Sequence, residues 1–160
     1  MGEARNSPVL LIAYRRPQHT QRVLQSLLAN PLAASSDVLV HIDGPANVAE
    51  EAAVSEVEQV CRATRGFASI TVERSERHLG LAHSVVSAVT TALVTHETII
   101  VLEDDIVVSS MFLDYMNDAL RLYADDDKVA SISAYSYPIN GELPATFFVR
   151  SFSTSPAALL

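Results

Sequence analysis

Short apolar runs and helical spacing alternate along this chain. Val9-Leu10-Leu11-Ile12-Ala13 is continuous and apolar, the pattern of a strand covered on both faces. Pro17 then sits where a first-turn helix proline belongs, and Val23, Leu24, Leu27 and Leu28 follow at helical spacing. Val38 to Ile42 reads as a second strand, stopped by the turn signal Asp43-Gly44-Pro45. Asn47 with Glu50 three residues later predicts a helix start, after which Val54, Val57 and Cys61 mark one face. Ser69 to Glu73 alternates, as a half-exposed edge strand does.

The second half repeats the rhythm. Leu81, Val85, Val89 and Ala92 predict one face of a third helix. Thr98 to Leu102 is a strand, apolar after its first residue. Ser109 or Ser110 can cap a fourth helix, with Phe112, Tyr115, Met116 and Leu120 along one side. Lys128 to Ile132 predicts a fifth strand and Thr146 to Val149 a sixth. Residues 151–160 match no element. Strands alternating with helices imply an α/β fold: a mostly parallel sheet with helices on both faces. Such sheets bind ligands beyond the carboxyl ends of their strands, where strand order reverses. If the first strand and the one at 98–102 are neighbours, Arg15, Arg16 and Glu103 to Asp105 converge there.

Composition narrows the picture. The chain has 160 residues, of which 49% are hydrophobic, enough for one well-filled core. The formal net charge of -8 lacks the basic face of a nucleic-acid binder. A bound cation can still make an acidic site hospitable to an anion. The single cysteine, Cys61, allows no disulfide within the chain and reads as an inert helix-face residue. The first apolar run is far shorter than the ~20 residues of a membrane span, and no signal core precedes it. The expectation is a soluble, cytoplasmic chain without a transmembrane segment. Peripheral association with a membrane would leave no trace in this stretch.

Glu103-Asp104-Asp105 carries the candidate chemistry. Three adjacent carboxylates repel one another unless solvated or neutralised. The apolar residues Leu102 and Ile106-Val107-Val108 on either side argue against a simple solvated loop. A divalent cation neutralises such a cluster, and Mg²⁺ or Mn²⁺ takes one or two carboxylates together with phosphate oxygens. Asp43, read alone, is an ordinary turn residue. Arg15 and Arg16 are equally compatible with a solvated pair. His41 reads as a satisfied strand histidine, and Tyr115 and Met116 read as core.

Four segments occur in order: Val9 to Pro17, Ile42-Asp43-Gly44-Pro45, Arg77-His78-Leu79-Gly80-Leu81-Ala82 and Val101 to Ser109. Together with Phe112-Leu113-Asp114-Tyr115-Met116, they resemble bacterial family-2-like GT-A glycosyltransferases. They also resemble the inverting N-acetylglucosaminyltransferases that start complex N-glycans. The resemblance covers about residues 8 to 150. It implies a GT-A, Rossmann-like fold, with residues 1–150 as its nucleotide-sugar-binding part and 151–160 as a tail outside the family pattern. The implied activity is metal-dependent transfer of a sugar, with inversion, from a nucleotide-diphosphate sugar to a hydroxyl of a glycan, lipid or protein.

Residue by residue, the resemblance makes Asp105 the direct ligand of Mn²⁺ or Mg²⁺. Glu103 and Asp104 would hold the ribose and metal-bound waters. Asp43 would accept a hydrogen bond from the base, and Ala13 would offer it backbone contacts. Arg16 would lie near base or phosphates, and Arg77 would approach the diphosphate. A UDP-sugar is the donor the resemblance favours. His78 and His83 stand where related sequences tend to carry Asn and are not counted as ligand contacts.

Related enzymes continue past this sheet into a Trp-containing segment and a carboxylate general base. This chain has no Trp, and its last acid, Glu142, lies in a turn. The expectation is therefore an incomplete domain, with the base absent. The alternative function is a truncated or degenerate nucleotide-sugar-binding module without transferase activity. A sugar-1-phosphate nucleotidyltransferase would want a Gly-rich loop after the first strand, where this chain has Tyr14-Arg15-Arg16-Pro17. A receiver-type signalling domain would want an acidic pair at that point.

Overall fold

The computed structural model describes residues 6–134 and the backbone of 157–159. Its strands are β1 (Val9–Ala13), β2 (Asp37–Ile42), β3 (Ser69–Arg74), β4 (Ile99–Glu103), β5 (Ser131–Ser133) and β6 (Ala157–Leu159). Its helices are α1 (Pro17–Leu28), α2 (Glu51–Ala63), α3 (Leu81–Leu93) and α4 (Phe112–Leu122). The strand order is β3-β2-β1-β4-β6-β5. The first four of these strands run parallel, with Leu11 beside Val40 on one flank and Leu102 on the other. β3 is the edge that its alternating pattern implied.

Period-two geometry divides the core. Val9, Leu11 and Ala13 face one cluster, which α1, α2 and α4 cover with Leu24, Leu27, Val57, Leu113 and Met116. Leu10 and Ile12 face the other, where Ile99 packs against Ala88 and Ala92 of α3. β1 is buried at every position because both faces are roofed. Fully burying one such aliphatic side chain is worth about 1.5–3 kcal/mol. The Val54, Val57 and Cys61 stripe is wholly buried, as its spacing implied. Burial pushes the Cys61 thiol up to about 12, so it stays protonated and unreactive in the folded chain.

Several elements differ from the sequence pattern. On α3 the buried positions are Ser84, Ala88 and Ala92, while Leu81 is 63% exposed. Small residues let this helix lie close to the sheet, so the large ones are displaced to its flanks and outer face. Tyr115, expected in the core, is about half exposed, and its hydroxyl reaches the Ser133 carbonyl at 3.5 Å. Neither Ser109 nor Ser110 caps α4 with its side chain. The buried Asn30, just beyond α1, does so from a distance. Its Oδ1 accepts from the Leu113 amide at 3.0 Å, and its Nδ2 donates to the Ser109 carbonyl at 3.1 Å. The fifth strand is shorter than its pattern, Ser131–Ser133. The tail contributes β6, antiparallel between β4 and β5, a run too short to show periodicity. The strand expected at 146–149 lies outside the described residues.

Candidate functional site

The carboxyl ends of β1, β2 and β4 open onto one cavity of about 370 Å³. Strand order reverses here: β2 and β3 lie to one side of β1, and β4 lies to the other. This is the crevice in which doubly wound sheets bind ligands. Ile12, Ala13 and Tyr14 form its floor at the end of β1. Arg15 and Arg16 continue from that floor, and Asp43 enters from the end of β2. Glu103 and Asp104 enter from β4, and Leu81 and Ser84 from the first turns of α3. A second hollow of about 400 Å³ opens at the opposite end of β3, beside Arg62, Arg65 and Phe67. Among the described residues, no carboxylate lines it.

Pleating splits the acidic triplet. Glu103 continues the alternation of Ile99 and Val101, which belong to the α3 face. Asp104 follows Ile100 and Leu102, which belong to the other face. Asp104 is only 3% exposed, so its charge needs partners. It has them: the Tyr14 amide donates to Oδ2 at 3.3 Å, and the Arg16 guanidinium donates to Oδ1. The same guanidinium reaches the exposed Asp105 at 2.9 Å. Arg16 thus bridges both aspartates, and the Asp104 bond above all holds its pKa above the usual arginine value. The Glu103 carboxylate makes no hydrogen bond or ion pair among the described residues, while its carbonyl accepts from the Ile106 amide at 3.2 Å.

Asp43 is held differently. Its Oδ1 accepts from the amides of Gly44 at 2.9 Å and Leu79 at 2.8 Å. Its Oδ2 accepts from the Gly80 amide at 3.0 Å and lies 2.9 Å from His78 Nδ1. The carboxylate therefore ties the turn after β2 to the entry of α3. Gly44 makes the crossing possible, since a Cβ there would fall 2.4 Å from the Arg77 carbonyl carbon. Gly80, at φ 79, supplies the left-handed residue that starts α3.

A third group frames the rim. The Tyr14 hydroxyl bonds to Glu50, which also pairs with Arg15 and accepts from the Ala46 amide at 3.1 Å. Burial first, and then the Glu50 bond, raise the Tyr14 pKa; that bond in turn lowers Glu50. The Tyr14 ring lies against the His78 ring at 5.1 Å.

Of the residues singled out from sequence, the cavity gathers Ala13, Arg16, Asp43, Glu103 and Asp104. Asp105 joins them through Arg16. Arg77 is exposed and does not line the cavity. Tyr14, Arg15, His78, Leu81 and Ser84 do line it and carried no ligand role in the sequence reading. For Tyr14 and Arg15 the signal was position, immediately after an apolar strand; for Ser84 periodicity gave none. Among the described residues, no group of three or more His, Cys, Asp or Glu side chains converges as a closed metal cage. The donor set present, Asp104 and Asp105, suits an open site where a hard cation shares its shell with phosphate oxygens.

Comparison with known proteins agrees with this fold. Residues 2–143 match the GNT-I family. The mannosyltransferase PcManGT from Pyrobaculum calidifontis, solved with GDP-Man and Mn²⁺, superposes with a TM-score of 0.58 at 15% identity. The match covers 84% of this chain and 37% of that one. TarS from S. aureus superposes with a TM-score of 0.54 at 16% identity, covering 89% of this chain and 24% of its own. This chain thus aligns with well under half the length of either structure. At these identities the superpositions establish a shared fold alone. No curated protein matches. Among the described residues no helix is long and apolar enough to cross a membrane.

Proposed function

The chain belongs to the GNT-I family, and on that premise we propose that it forms the donor-binding half of a metal-dependent glycosyltransferase. The reaction is transfer of a sugar, with inversion, from a nucleotide diphosphate to a hydroxyl acceptor. One observation carries the reading. Arg16, Asp104 and Asp105 form a charged cluster at the β1–β4 switch point, beside a cavity of about 370 Å³. Opposite charges are already assembled there, so a cation and a diphosphate can replace the internal pairs without leaving a buried charge bare.

Asp105 is the direct metal ligand in this reading, because its carboxylate is exposed and, among the described residues, bound to Arg16 alone. A bound Mn²⁺ or Mg²⁺ would neutralise charge on the departing diphosphate. Arg16, released from Asp105, turns to the phosphates. Asp104 stays anchored to the Tyr14 amide and orients ribose or metal-bound water. Ala13 presents backbone to the base, although its carbonyl already accepts from the Asp43 amide at 3.0 Å. Asp43 accepts a base N–H at the lone pair that now faces His78. Arg77 reaches the diphosphate only by swinging in from the rim. In this reading the acids lining the cavity, Asp43, Glu103 and Asp104, all serve the donor, so the general base that deprotonates the acceptor lies elsewhere. A UDP-sugar is the proposed donor.

Calorimetry of UDP, with GDP as comparison, tests this with and without Mn²⁺ on wild type and Asp105→Ala. The expected result is Mn²⁺-dependent nucleotide binding, weakened at least a hundredfold by the substitution. Binding that ignores the metal, or no binding by folded wild type, would overturn the reading.

A further inference from the structure

Ser84 stands out among the polar residues of this chain. It is 1% exposed, lines the cavity, and its Oγ has no hydrogen-bond partner among the described residues. A helical serine has an easy escape, bonding back to a carbonyl three or four residues earlier. Ser26 takes it, reaching the Val23 carbonyl at 2.8 Å, and Thr20 takes it toward Arg16 at 3.0 Å. Ser84 does not, although its own amide donates to the Gly80 carbonyl at 2.9 Å. An orphan buried hydroxyl costs stability unless something outside the empty fold satisfies it.

Its surroundings indicate what that partner is. Ser84 sits one turn into the 13-residue α3, whose start has no side-chain cap. The α3 face of the sheet also carries Glu103, whose carboxylate is unpartnered among the described residues and lines the same cavity. Ile12 and Leu81 supply apolar wall on that side. A phosphate is a poor fit beside the Glu103 carboxylate, and Arg16, the arginine proposed above to meet the phosphates, pairs with Asp104 on the opposite face. A hydroxyl on a carbon ring fits all three features. It donates to Glu103, exchanges a hydrogen bond with Ser84 after rotation about χ1, and lays its C–H face on Ile12 and Leu81.

We propose that Ser84 is a donor-binding residue whose Oγ, together with Glu103, holds a ring hydroxyl of the nucleotide sugar, either of the ribose or of the transferred sugar. This rests on the donor-binding reading above and adds to it a residue that neither the family match nor the sequence motifs single out.

The test compares wild type with Ser84→Ala in two measurements. The first is thermal unfolding of the ligand-free chain, where alanine removes an unsatisfied hydroxyl and improves helix propensity, so the midpoint is unchanged or higher. The second is calorimetry with UDP and with UDP-N-acetylglucosamine in Mn²⁺, where Ser84→Ala weakens binding about tenfold. Equal weakening for both ligands assigns the hydroxyl to the ribose; weakening for the sugar nucleotide alone assigns it to the sugar. Unchanged affinity for both ligands overturns the inference alone. A lowered midpoint in the ligand-free variant also overturns it, since Oγ would then serve the fold. No binding by wild type overturns the donor-binding reading and this inference with it.

Discussion

Two acidic centres face each other across the cavity, and they are neutralised in opposite ways. Asp43 is filled by backbone: three amides from residues 44, 79 and 80 hold it, with His78 beside them. Asp104 and Asp105 share one long side chain, the Arg16 guanidinium, which is itself nearly half exposed. Backbone amides cannot leave without unfolding the turn, whereas a guanidinium on a flexible stem can. The first centre is therefore a fixture of the fold and the second an exchangeable one. A site that must take up and release a charged ligand needs both, a rigid frame and a replaceable counter-ion.

The contrast can be broken at either end. Asp43→Ala leaves one buried and two part-buried amides without their acceptor, and the expected loss is about 2–4 kcal/mol in urea unfolding. A loss below about 1 kcal/mol would mean the amides find water and the clamp is dispensable. Arg16→Ala is the milder change. It strips Asp104 of its strongest partner but leaves the Tyr14 amide, so stability falls by about 1 kcal/mol. In the same variant, Mn²⁺ titrated without nucleotide should bind several-fold more tightly, because its competitor for the carboxylates is gone. Weaker Mn²⁺ binding would show that Arg16 organises the acids and does not merely stand in for a cation.

The smallest effect concerns His41, half-buried on β2 with Ser75 Oγ 3.5 Å from its Nε2. Burial lowers its pKa below the ordinary 6.5, outweighing the opposing pull of Asp43 and Glu73. The unfolded chain then binds more protons than the folded one, so stability rises with pH across that window. The contribution is fully present above 6.5 and is lost as pH falls toward the lower folded value. Stability measured against pH for wild type and His41→Gln should diverge below 6.5, with wild type losing more. Parallel curves would remove burial as the controlling influence.

Much of this was legible in the order of residues. Val9 to Ala13 is apolar without a break because both faces of β1 are roofed, and Ser69 to Glu73 alternates because β3 is an edge. The meeting of Arg16 with Asp104 and Asp105 followed once β1 and β4 were neighbours. The packing face of α3 was not legible, because small residues make it. Ser84, Ala88 and Ala92 carry little hydrophobic signal, and the larger Leu81 misdirects the eye. Asn30 was invisible for another reason. Its partners at Ser109 and Leu113 lie about eighty residues away, and no local pattern encodes a cap delivered by tertiary structure. The occupancy of Asp43 by backbone amides was hidden likewise, since Asp-Gly-Pro announces a turn but not what crosses it.

The lone thiol offers a practical return. Cys61 lies on the inner side of α2 with no solvent exposure, and it is the chain's single sulfhydryl. An alkylating reagent can reach it only when α2 lifts from the sheet, so the labelling rate counts those openings one molecule at a time. The native sequence thereby carries its own gauge of breathing between α2 and the sheet, needing no engineered probe.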